Sequence, residues 1–129
     1  MSTKVKLFFK YWIWPLLYIG VILGFSSLTA SALPKIQIVH FDKFLHFIEY
    51  GILGYLLTRA FYGTSKIEYK YIIWFILAAA FVTAAADEIF QSFIPGRDSS
   101  VFDLIFDMVG VLCGLIIYRK VSHGRDKIL

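Results

Sequence analysis

Residues 71–94 read YIIWFILAAAFVTAAADEIFQSFI, an apolar run that closes on the polar side chains Asp87, Glu88 and Gln91. Residues 71–86 carry no charge, and the whole stretch exceeds the ~20 residues a helix needs to cross a hydrocarbon core. A charge facing lipid costs about 2.5–3.5 kcal/mol at the membrane centre, so Asp87 and Glu88 are expected to face protein instead. Working outward from this run, three more apolar segments occupy residues 11–33, 44–62 and 101–118. All four are long, and none shows dyad alternation or turn signals every ten residues, which favours helices over barrel strands. The expected fold class is all-α: a polytopic four-transmembrane-helix bundle in which residues 1–129 form one domain, with helices over 11–33, 44–62, 71–94 and 101–118.

Composition agrees. Hydrophobic residues make up 59% of the chain, above the roughly 45–50% of soluble domains. Mean hydropathy is +0.72. Lys4, Lys6 and Lys10 before an apolar stretch with Ser31-Ala32-Leu33 resemble a secretion signal, but the apolar stretch is longer than a typical signal core and further spans follow, so it is read as an uncleaved helix. Pro34, Gly63-Thr64-Ser65 and Pro95-Gly96 punctuate short connections where helices must stop. Cys113 is the single cysteine and lies inside the fourth segment, which excludes an intramolecular disulfide.

The net charge of +4 would suggest nucleic acid in a soluble protein, but here the basic residues sort by membrane side. With the N-terminus inside, Lys4, Lys6, Lys10, Arg59, Lys66, Lys70, Arg119, Lys120, Arg125 and Lys127 are cytoplasmic, against Lys35, Lys43 and Arg97 outside. Ten against three gives an N-in/C-in orientation, with membrane lipids as the partner of the inner set and no nucleic acid.

The acids sort the other way. Seven of nine, Asp42, Glu49, Asp87, Glu88, Asp98, Asp103 and Asp107, fall outside or near the outer ends of helices. Asp42, His46, Glu49 and Tyr50 follow i, i+4, i+7, i+8 and share one stripe, with Lys43 beside it. Asp87 and Gln91 are one turn apart with Glu88 adjacent, and Asp103, Asp107, Gly110 and Gly114 step along one face. Small residues there invite close helix approach. At ~1.5 Å per residue the acids occupy only the outer part of the bilayer, which predicts a cavity open to the outside rather than a charged path through.

Three blocks carry a family resemblance: Asp42-Lys43-Phe44-Leu45-His46 with Glu49-Tyr50 and Leu53; Asp87-Glu88-Ile89-Phe90-Gln91 leading to Pro95-Gly96-Arg97; and Asp103 to Gly110 and Gly114. In order and spacing the chain resembles the VanZ-like family from about Asp42 to Gly114, while the first helix and the tail rest on hydropathy. A departure is Asp107, where the family often has Asn, which makes this site more negative. The resemblance implies an integral membrane protein of the bacterial envelope, in the cytoplasmic membrane, whose namesake is associated with resistance to the glycopeptide teicoplanin. It implies no settled mechanism.

Three function classes remain. In the first, Asp42, Lys43, His46, Glu49, Tyr50, Asp87, Glu88, Gln91, Arg97, Asp103 and Asp107 line an outward pocket for an envelope ligand: a lipid-linked precursor, a lipid headgroup or a glycopeptide. Arg97 would present its fork to phosphate or carboxylate, and Lys43 a point charge. In the second, His46, Glu49, Asp87, Glu88 and Asp103 are candidate ligands of a divalent metal supporting hydrolysis or transfer on an envelope lipid. No HExxH, P-loop or Gly-x-Ser-x-Gly motif is present, and Ser99-Ser100 read as a helix cap. In the third, the charges only clamp helix ends together. Against that clamp, seven acids face two cations, Lys43 and Arg97, an excess of five negative charges. A channel or transporter would require an oligomer, which the sequence leaves open.

Overall fold

In the computed structural model the described residues are 2–32, 41–97 and 99–126; Pro34, Lys35, His40, Asp98 and Lys127 lie outside them, as does the side chain of Arg125. Among the described residues every regular element is helical. We label the four long helices α1 (Thr3–Ser26), α2 (Phe41–Thr64), α3 (Tyr69–Ser92) and α4 (Val101–Asp126). Three of them, α1, α3 and residues 101–123 of α4, are long and apolar enough to cross a membrane. The fourth, α2, has 24 residues, about 36 Å of helix, and is less apolar because Asp42, Lys43, His46, Glu49 and Arg59 interrupt it.

The helices outrun several of the boundaries expected from hydropathy. α1 begins at Thr3 rather than residue 11, capped by the Ser2 hydroxyl, because Lys4, Lys6 and Lys10 can continue a helix while their heads reach water. It ends at Ser26 rather than residue 33: the Ser26 and Ser27 hydroxyls turn back onto the carbonyls of Ile22 and Leu23, and a short 3₁₀ turn follows at Ala30–Ala32. Within α1, residues Phe8–Trp12 are π-helical, with the Ile13 N–H bonded to the Phe8 carbonyl. Pro15 lies three residues on, and its missing N–H and its ring disturb the hydrogen-bond register of the turn before it. α4 continues to Asp126 rather than stopping at residue 118.

α3 stops at Ser92, where Ile94, Pro95, Gly96 and Arg97 form a tight turn closed by the Arg97 N–H to the Ile94 carbonyl at 3.2 Å. Gly96 has φ 77°. Proline at the second position and a positive-φ glycine at the third are what a type II turn requires. The turn brings the chain back to start α4.

Neighbouring helices alternate in direction, so the ends of α1 and α3 meet the starts of α2 and α4. α1 packs on α2 and α3, and α4 packs on the same two from another side, with α2–α4 the most extensive interface. That interface is a glycine seam. A Cβ on Gly114 would run into the backbone of Gly51 and Tyr55, one on Gly110 into the backbone of Phe47, and one on Gly54 into Val111. Without Cβ atoms the two backbones approach closely and gain dispersion contact, the main attraction between helices in lipid. Gly114→Ala is therefore expected to force α2 and α4 apart and to lower stability in detergent by about 1–3 kcal/mol, read as the shift in thermal unfolding. An unchanged transition would mean that the seam is not close-packed.

The interior is apolar below the acids, where Ile22, Leu53, Leu57, Ile72, Ile76, Ala80, Ala84, Val111 and Leu115 form one cluster. The exterior is apolar too: Trp74, Val82, Phe93, Val101 and Phe102 are each at least 66% exposed. A soluble domain does not tolerate such a surface, whereas lipid does. At the end opposite the acids, Trp12 Nε1–H donates to Thr64 Oγ1 at 3.0 Å and Arg119 stacks 3.9 Å over the Tyr69 ring.

Candidate functional site

Because the ends of α1 and α3 meet the starts of α2 and α4, Ser26, Asp42, His46, Glu88, Gln91 and Asp103 all arrive at one end of the bundle. Their side chains sort into a more exposed outer layer, here the rim, and a more buried layer beneath it, here the floor.

At the rim, Lys43 Nζ donates to Asp103 Oδ1 at 3.0 Å and to Asp42 Oδ2 at 3.1 Å, tying the starts of α2 and α4 together. Asp103 is buried and Asp42 exposed. Lys43 precedes the apolar run of its helix, and its hydrogen bonds to Asp103 and Asp42 hold the ammonium above the ordinary lysine range. Arg97 is half-buried and makes no ion pair among the described residues. It lies within electrostatic reach of Glu49 and Asp87.

The floor is built from two fully buried acids, Asp87 and Asp107, and the half-buried Glu88. Asp87 is 0% exposed and gathers three helices: Ser26 of α1 donates to its Oδ1, Tyr50 of α2 donates to Oδ2 at 3.2 Å, and Gln91 Nε2 donates to Oδ1 at 3.3 Å. Asp107 of α4, also 0% exposed, receives an imidazole N–H from His46 of α2, with Nδ1 to Oδ1 at 2.9 Å. Glu88 Oε2 accepts the backbone N–H of Ser100 at 2.8 Å, fixing the entry into α4. Two buried oxygens, Glu88 Oε1 and Asp107 Oδ2, have no hydrogen-bond partner among the described residues. Ligand atoms of His46, Glu88 and Asp107 lie within 4.8 Å of one another.

The polar stripes read from the sequence thus converge. The profile of the VanZ/LLP1 family matches residues 3–122, nearly the whole chain. This chain belongs to the VanZ/LLP1 family. The match takes in α1 as well as the three blocks that carry the resemblance. No curated protein and no solved structure matches the chain.

The VanZ/LLP1 chain brings together all eleven expected pocket residues at one end, though with unequal parts. Asp42 and Lys43 sit at the rim with Asp103, and Arg97 at its edge. Glu49 is half-buried and makes no hydrogen bond among the described residues. Of the expected metal candidates, His46 and Glu88 cluster with Asp107; Asp87 is committed to Ser26, Tyr50 and Gln91, and Asp103 to Lys43. Ser26 escaped the sequence reading. It is a small hydroxyl in an apolar run, and its only signal was a polar residue near the outer end of a span. Gly51 and Gly54 were missed as the counterparts of Gly110 and Gly114, although their spacing from Glu49 and Tyr50 was legible.

Proposed function

We propose that this VanZ/LLP1 protein is a multi-pass protein of the bacterial cytoplasmic membrane, with both termini inside, whose acidic end faces outward and binds an envelope ligand bearing phosphate or carboxylate. α2 is then the fourth span, its charges shielded by the other three helices. The orientation is supported by the distribution of charge: Lys4, Lys6, Lys10, Arg59, Lys66, Lys70, Arg119 and Lys120 occupy the half opposite the acids, as the positive-inside rule requires of a cytoplasmic face. In a Cys113→Ser background, a cysteine at position 97 should react with an impermeant maleimide in intact cells and one at position 66 should not. The reverse labelling would invert the protein.

The single observation that carries the binding reading is Arg97. A helix clamp uses its cations, and Lys43 is used, with two carboxylates within 3.1 Å. Arg97 instead stands half-buried at the mouth on a turn shaped by Pro95 and Gly96, its fork free of ion pairs among the described residues. Such a guanidinium suits bidentate contact with phosphate or carboxylate. The ligand classes that fit are a lipid-linked precursor, an anionic lipid headgroup and a glycopeptide antibiotic, and through the last the protein would contribute to teicoplanin resistance.

The test is native mass spectrometry of the purified chain in chelator, with phosphatidylglycerol against phosphatidylcholine, and with teicoplanin in a separate arm. Arg97→Ala should lose at least about tenfold in affinity for the anionic lipid, Arg97→Lys should lose less, and thermal stability should be unchanged in both. Equal binding by wild type and Arg97→Ala in every arm would remove the proposal.

A further inference from the structure

Below Arg97, at the floor of the pocket, we infer that His46, Glu88 and Asp107 form a binding site for one divalent transition-metal ion, of the Mn²⁺ or Zn²⁺ class. Three elements supply the donors: α2, α3 and α4. Their ligand atoms lie within 4.8 Å of one another. His46 Nδ1 and Asp107 Oδ1 are 2.9 Å apart. Without an ion this is the hydrogen bond described above; on metal binding the Nδ1 proton is lost and its lone pair is freed for the ion, and since two octahedral neighbours at ~2.1 Å stand about 3.0 Å apart, the pair needs little movement to form a coordination edge. Glu88 is only half-buried, and its ligand atom already lies within 4.8 Å of the other two.

Among the described residues, two oxygens in this cluster lack the partners that burial demands. Asp107 is 0% exposed, yet its Oδ2 has no hydrogen-bond partner among the described residues, and neither does the buried Oε1 of Glu88. Leaving a buried carboxylate oxygen unpaired is costly, and both unpaired oxygens belong to members of this one group. Asp87 is the internal comparison. It is as deeply buried, but Ser26, Tyr50 and Gln91 satisfy both its oxygens. The floor therefore contains one finished acid and two unfinished ones, and a cation completes the latter.

Donor chemistry narrows the ion. Ca²⁺ takes 6–8 oxygens and Mg²⁺ keeps most of its waters, so neither exploits an imidazole, whereas one nitrogen with two carboxylates suits Mn²⁺ or Zn²⁺. Three protein donors leave coordination positions open. An anionic ligand held by Arg97 would reach them from the rim; in that extension the inference rests on the pocket reading, but the ion itself does not.

The experiment uses the full chain in detergent, stripped with chelator and titrated with Mn²⁺ or Zn²⁺ alone, without lipid, so that its failure leaves the Arg97 reading standing. One saturable ion per chain is expected. His46→Gln, Glu88→Gln and Asp107→Asn should each weaken it at least about tenfold. Glu68→Gln, an exposed acid at the opposite end paired with Lys70, should not. As a readout independent of variant folding, pulsed electron paramagnetic resonance of Mn²⁺-loaded wild type should show ¹⁴N coupling from one imidazole. The inference is overturned by absence of saturable binding, by a bound Mn²⁺ without nitrogen coupling, by folded variants that bind as well as wild type, or by Mg²⁺ competing at equal concentration.

Discussion

Asp87→Ala is expected to cost about 3–5 kcal/mol and to remove most of the folded protein, whereas Asp87→Asn keeps it. Asp87 accepts from Ser26, Tyr50 and Gln91, and all four residues are buried. Alanine leaves three donors facing an apolar interior, at about 1–3 kcal/mol for each that finds no other acceptor. Ser26 has an alternative in the Ile22 carbonyl, 3.0 Å away, so its share is the smallest. Asparagine retains one oxygen for Ser26 and Gln91, and the Tyr50 hydroxyl can rotate to accept from the new amide. Because no lysine or arginine pairs with Asp87 among the described residues, removing its charge strands no cation. Thermal unfolding of the two variants in the same detergent decides the matter; equal loss in both would mean that the charge itself, rather than the acceptor, holds α1, α2 and α3 together.

This centre also shows how far the sequence alone could go. The apolar runs were legible because lipid demands them, and the inward stripes because intramembrane charge is expensive, so Asp42, His46, Glu49, Asp87, Asp103 and Asp107 could be assigned to one face of each helix without coordinates. Partner choice was not legible. Asp87, Glu88, Asp103 and Asp107 are all acids near one end of an apolar run, yet each takes a different partner, because that depends on helix rotation and on residues distant in sequence such as Ser26. The boundary errors have a similar origin. Hydropathy marks where lipid begins, not where hydrogen bonding stops, so α1 and α4 extend through lysines and arginines that the apolar runs had excluded. Gly110 and Gly114 announced a close contact, but its other half, Gly51 and Gly54, became visible only once α2 was set against α4.

The second large effect is expected at the His46–Asp107 pair, and it separates what the site contributes to binding from what it contributes to folding. His46→Leu alone leaves the Asp107 carboxylate at 0% exposure with neither oxygen partnered, and Asp107→Leu alone leaves a buried imidazole without its acceptor. Removing one member of a buried pair costs roughly 3–5 kcal/mol. Removing both replaces two desolvated polar groups by apolar side chains of similar size, which is often neutral or stabilising. The double variant is therefore expected to be more stable than either single one, by about 2–4 kcal/mol, when all are measured in chelator. If the two losses simply add, the residues are not coupled and the 2.9 Å contact has no energetic meaning. If stability returns in the double variant while metal binding is lost, an apolar floor would hold the helices as well as the polar one does. His46 and Asp107 would then be explained by what they bind and not by the bundle they help to close.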